Sequence, residues 1–161
     1  MKRHCLNRQR LNRLLLAVTS VAGLATALPA AAQFQKPEDA IKYRKAAFSV
    51  MGAHFGRIGA MASGKVPFDA AAVASNAEIV AVMSKLPYPA FIDGTSTGDT
   101  RAKPEIWSNR TKFDAAAVKM QDEVTKLNAA AKTGNFDAIK TAFGATGQAC
   151  KACHDDFRKE Q

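Results

Sequence analysis

Near the end of the sequence, Cys150-Lys151-Ala152-Cys153-His154 sets two thiols three residues apart and places an imidazole directly after the second. C-x-x-C-H is the pattern of covalent c-type haem attachment. The two thiols add to the two vinyl groups of one porphyrin, and the following imidazole reaches the iron from the same helix. Other uses of a close cysteine pair fit less well. A thioredoxin-like pair opens a helix after a strand, and no strand pattern precedes this one. Zinc asks for about four ligands, and the only other histidine after residue 32 is His54. A structural disulfide is disfavoured by the helical context and the tight loop.

Only Asp155 to Gln161 follow His154, and they contain neither Met nor His. Any residue on the far side of the iron must therefore come from earlier in the chain, so the elements that carry it matter. Four helical stretches are expected. The first follows Lys36-Pro37-Glu38-Asp39, with Pro near the first turn and acids at the positive end of the dipole. Its apolar positions are Ile41, Phe48, Met51, Phe55, Ile58 and Ala62, and Arg44 stands where the stripe predicts an apolar residue. The second begins near Pro67-Phe68-Asp69 with a stripe of Phe68, Ala72, Ile79, Val82 and Leu86, and Pro87 stops it. The third opens around Pro104-Glu105 and runs through Phe113, Ala117, Met120, Val124, Leu127 and Ala131 to Thr133-Gly134. Asn135 or Asp137 caps the fourth, whose stripe is Phe136, Ile139, Phe143, Thr146, Cys150 and Phe157. Steps of three and four that sum to seven are the seam of an all-α, antiparallel, up-down-up-down four-helix bundle. Residues 87–103 carry no helical period, and a connection of that length in a small bundle is often functional.

The chain has 161 residues, 47% apolar, with a net charge of +9. Lys2, Arg3, Arg8, Arg10 and Arg13 supply five of the positive charges, and no acid precedes Glu38. A basic n-region, the uncharged run Leu14 to Leu28, then Pro29 and Ala30-Ala31-Ala32 read as a signal peptide cleaved after Ala32. Removing residues 1–32 leaves 33–161 as one haem-binding domain, with 18 basic against 14 acidic residues. The remaining +4 is spread without a basic block, which excludes a nucleic-acid partner. Cys5 leaves with the leader, so no disulfide scaffold remains. The expected location is the periplasm, with no membrane segment after cleavage.

Taken together, Lys36 to Arg44, His54-Phe55-Gly56-Arg57, Pro104-Glu105-Ile106-Trp107-Ser108 and Cys150 to Lys159 resemble the cytochrome c′ family over essentially all of 33–161. The resemblance implies a single haem c on Cys150 and Cys153 and a pentacoordinate, high-spin iron with His154 as its protein ligand. It also implies an apolar first-helix side chain over the distal face. That position falls at Phe48, where many relatives have Leu. Met51, one turn further on, is the rival: as an axial ligand it would make the site low-spin.

Arg44 lies four residues before Phe48 on the same face, which places a cation near the haem edge where propionates need a partner. Lys45, Thr100 and Arg101 are further candidates for the same carboxylates. Tyr88 and Phe91 are expected in the haem wall. Arg158 follows His154 by one helical turn, beside the imidazole. His54 is expected to face away. A pocket walled by Phe48, Met51, Tyr88 and Phe91 offers few hydrogen bonds, so dioxygen should bind poorly while nitric oxide and carbon monoxide remain acceptable. The expected function is diatomic gas binding, with nitric oxide tolerance implied by the resemblance. The alternative is a periplasmic electron carrier exchanging with redox partners. No paired acid and base is evident, so the chain is not expected to be an enzyme. The resemblance further suggests an antiparallel homodimer through the first two helices.

Overall fold

The computed structural model describes residues 33–160; the leader read at 1–32 lies outside the described residues. Four long helices, α1 (Pro37–Ala62), α2 (Ala70–Met83), α4 (Arg110–Thr133) and α5 (Phe136–Phe157), form the bundle, and a one-turn α3 (Glu105–Ser108) precedes α4. Adjacent pairs α1–α2, α2–α4, α4–α5 and α5–α1 touch in a closed ring.

Local sequence sets the ends. Pro37 occupies the first turn of α1 with Glu38 and Asp39 beside it, where a missing N–H and negative charge are both tolerated or favoured. Asp69 accepts from Ala72 N at 3.0 Å to start α2, and Asn135 accepts from Ala138 N at 2.9 Å to start α5. Gly134 closes α4 at φ 68°, a conformation that disfavours side chains with a Cβ. Asn109 is the one cap that divides an expected element. Its side chain accepts from Lys112 N and its backbone leaves the helical region, so the third stretch splits into α3 and α4.

The bundle interior is built from α1, α2, α4 and α5, with Ile58 and Leu127 fully buried; each contributes about 1.5–3 kcal/mol by leaving water. On α4 the expected stripe is buried at every position from Phe113 to Ala131. On α2 it is not. Val73, Ala77 and Val80 face the core, while Ile79 is 37% and Val82 63% exposed. This corrects the expected phase, and the cause is compositional: α2 is apolar on nearly every side, so no polar face marks which way it turns. Phe68 and Phe136, also expected inside, are instead exposed and pack on each other with ring centroids 5.1 Å apart.

The contact between α1 and α5 depends on a missing side chain. Phe143 lies over Gly59 and stacks on Phe55 at 4.4 Å, and a Cβ on Gly59 would sit 2.6 Å from the Phe143 ring. Gly59→Ala is expected to destabilise the bundle by about 1–3 kcal/mol, because the ring cannot retreat without breaking its stack. Denaturant titration of parent and variant checks this; equal midpoints would contradict it.

Candidate functional site

α1 and α5 diverge around a cavity of about 840 Å³, within the size range of cofactor pockets. Cys150, Cys153 and His154 line it from α5, Phe48 and Met51 from α1, and Tyr88 and Phe91 from the connection after α2. Arg44, Lys45, Thr100, Arg101 and Arg158 complete the set, so all twelve residues singled out in the sequence open onto one space. His54 is not among them. Its Nδ1 meets Asn76 Oδ1 at 2.7 Å between α1 and α2.

Both cysteines are free thiols and half-buried. Burial raises the Cys150 thiol and pushes Cys153 up to about 11, so both are protonated at neutral pH. An acid whose pKa rises on folding holds its proton longer in the native state, so a haem-free chain should lose stability between the ordinary thiol range and about 11. Alkylation of haem-free chain by iodoacetamide is accordingly expected to be slow at pH 7 and faster toward pH 11, while haem-loaded protein reacts at neither. Fast labelling of the loaded protein at pH 7 would contradict attachment. Desolvation lowers His154, with Arg158 and Arg101 adding to the effect and Asp155 opposing it. A neutral imidazole is the form a metal requires.

The opposite wall is apolar and aromatic. Phe48 meets Tyr88 edge-on at 6.1 Å and Phe91 at 6.4 Å, and Phe91 meets Phe113 at 4.9 Å. Met51 is 9% exposed and belongs to the bundle core. Burial raises the Tyr88 phenol, with Cys153 and Cys150 adding to the shift, so it stays protonated.

Arg44 lines the cavity, and its protein partners lie in the connection after α2. Arg44 is 2% exposed, and its guanidinium donates to Ala90 O at 3.2 Å, Thr95 Oγ1 and Thr95 O at 2.7 Å, and Thr100 Oγ1 at 2.9 Å. It also stacks 4.3 Å from the centroid of Phe91. The polar step in the α1 stripe is thus explained by the segment it holds, a partner some 50 positions away that no local pattern reveals. Arg158 closes the turn that follows His154, its N donating to His154 O at 3.0 Å. α5 ends at Phe157, and Arg158 is extended at φ −120°, ψ 129°, paired with Ala102 in an antiparallel bridge. Among the other polar candidates, Lys45 pairs with Asp99, and Arg101 forks onto Lys159 O at 3.1 and 2.7 Å.

Phe55, Phe113 and Phe157 also line the cavity, as do Gly52 and Gly147. The three aromatics were visible as stripe positions but indistinguishable from core. The glycines had a weaker signal: each removes a side chain from a helix face that otherwise packs, and a Cβ on Gly52 would meet nothing within 4 Å. A wide slot with paired thiols and an imidazole on one wall and an apolar opposite wall fits a flat porphyrin.

A family model described as Cytochrome C′ matches residues 39–158. The chain belongs to the cytochrome c′ family. The cytochrome c′ of Rubrivivax gelatinosus is 54% identical over 129 residues, which is 80% of this chain and 100% of the relative. That of Alcaligenes xylosoxydans xylosoxydans is 46% identical over 129 residues, again 80% and 100%. The crystal structure of the Rubrivivax gelatinosus cytochrome c′ superposes with a TM-score of 0.77 at 55% identity, covering 79% of this chain and 100% of that one. A nitric oxide complex of a variant cytochrome c prime from Alcaligenes xylosoxidans superposes at 0.75 with 45% identity, covering 80% and 99%. The cofactor of a cytochrome c′ is haem c, and Cys150 and Cys153 are the thiols this chain attaches to it. Among the described residues no helix is long and apolar enough to cross a membrane.

Proposed function

We propose that this cytochrome c′ binds nitric oxide and carbon monoxide at a five-coordinate iron held by His154, with Phe48 over the opposite face. The observation that carries this is the contrast between the two walls of the cavity. α5 presents two thiols and an imidazole, whereas α1 presents a phenylalanine held edge-on by Tyr88 and Phe91. The haem supplies an iron with one open position. Phe48 keeps that position clear of protein ligands, and the aromatic wall gives a polar ligand little to hydrogen-bond, so dioxygen binds weakly. Lys45, Arg101 and Arg44 line the cavity and would add positive charge near the propionates.

The nitric oxide complexes of the Alcaligenes xylosoxidans protein support the ligand class. Scavenging of nitric oxide in the periplasm, without catalytic turnover, is the role we assign. Residues 1–32, read as a cleavable leader, would direct the export. Val50, Ile79 and Val82, exposed on α1 and α2, favour pairing of two copies through those helices. Intact mass of protein purified from the periplasm is expected to equal residues 33–161 plus one haem, unchanged by acid-acetone extraction. Haem lost to the solvent, or a chain retaining residues 1–32, would contradict the corresponding part.

One observation favours electron transfer as a second reading. Met51 also lines the cavity, and a thioether on the iron would give a low-spin site that reorganises little on reduction. Redox partners would then be periplasmic proteins.

A further inference from the structure

Residues 95–103 lead to α3, with Asp99 to Ala102 lining the cavity, and both ends of this segment are tied down. At one end the Arg44 guanidinium reaches from α1 to Thr95 O, Thr95 Oγ1 and Thr100 Oγ1. At the other, Lys103 N donates to Phe157 O at 2.9 Å and Lys159 N donates to Arg101 O at 2.8 Å, flanking the Ala102–Arg158 bridge. α1 and α5 are thereby joined through the segment, where the cavity lies between them.

Neither tie is what an ordinary surface connection requires. Every protein partner of the buried Arg44 is a neutral oxygen. A charged donor binds neutral acceptors more strongly than a neutral donor does, and here each acceptor belongs to the connection. At α5, the last carbonyls of a helix are ordinarily left to water or a cap. Phe157 O instead receives Lys103 N, and Arg158 beyond it forms a single antiparallel bridge with Ala102.

The geometry points to residues 95–103 as a strap that transmits displacement of the α1 wall to the end of α5, with Arg44 and Thr95 as its positioning residues. Phe48 lies one turn beyond Arg44 and packs on Phe91, the same ring that the Arg44 guanidinium covers. A ligand that pushes Phe48 aside presses on that ring and so on the strap. The strap ends on Arg158, whose backbone N donates to His154 O at 3.0 Å. Coupling of this kind is reciprocal: loosening the α5 end must change affinity at the α1 wall. This inference rests on the gas-binding reading above.

Amide hydrogen exchange of the ferrous, haem-loaded protein with and without carbon monoxide tests it. Rates at Lys103 and Lys159 are expected to change at least about threefold on ligand addition, while Gly134 at the other end of α4 does not respond. Lys159→Pro removes one strap bond at a place where the preceding residue already has the extended backbone proline demands. Although residue 159 does not line the cavity, this variant is expected to shift carbon monoxide affinity by about threefold or more. Thr95→Val, acting from the α1 end, should shrink the ligand-dependent change at Lys103 and Lys159. Identical exchange with and without ligand, or parental affinity in Lys159→Pro, overturns the strap. An optical spectrum unchanged by carbon monoxide overturns the gas-binding reading instead.

Discussion

Phe48→Ala is expected to speed carbon monoxide association by about ten- to hundredfold, because an entering ligand must break two aromatic pairs worth about 0.5–1.5 kcal/mol each. The rings involved are Tyr88 and Phe91, at 6.1 and 6.4 Å. Flash photolysis of parent and variant gives the rates directly. The accompanying loss of stability should stay below the roughly 3–5 kcal/mol of a fully buried phenylalanine, since Phe48 is only half-buried. Unchanged association would mean that the ring does not stand in the ligand's path.

Arg44→Met is expected to destabilise the protein by about 2–4 kcal/mol. It leaves Ala90 O and Thr95 O unpaired, each costing about 1 kcal/mol or more, and removes the charged donor from the Thr95 and Thr100 hydroxyls, while relief of the buried charge offsets part of that. Burial alone pushes the guanidinium down to about 10. For a depressed base the sign is fixed. The unfolded chain binds the proton more tightly, so the native state is penalised at neutral pH and the penalty fades only as pH climbs through about 10 toward the ordinary arginine range. Lys45→Met is the control. Its pair with Asp99 is exposed, at 49% and 94%, and should contribute no more than about 1 kcal/mol. Thermal unfolding of both variants separates the two cases; equal small losses would show that the Arg44 hydrogen bonds are not holding the connection.

What the sequence made legible was periodic or motif-bound. Cys150, Cys153 and His154 stand out through spacing alone. α4 follows its stripe because lysines and acids mark the outer face so clearly. Arg44 was visible as a fault in the α1 stripe, yet the reason for it was not, because its acceptors lie at Ala90, Thr95 and Thr100 in a segment without period. α2 was misphased because alanine, valine and isoleucine occur around its whole circumference. Arg158 keeps its place one turn after His154, but the change of chain direction there was not legible. Nothing after Phe157 breaks a helix locally, and the chain leaves it to pair with Ala102, 56 positions earlier. In both arginine cases the unforeseen partners are long-range, beyond the reach of short-range pattern.

The central claim is that an apolar side chain from α1, and not a ligand, faces the iron opposite His154. Optical and electron spin resonance spectra of the purified ferric and ferrous protein at pH 7, before and after carbon monoxide, test it most directly. The account predicts high-spin, five-coordinate spectra in both oxidation states and conversion of the ferrous form by carbon monoxide. A low-spin, six-coordinate spectrum that becomes high-spin in Met51→Ala would contradict it and assign the second axial position to Met51.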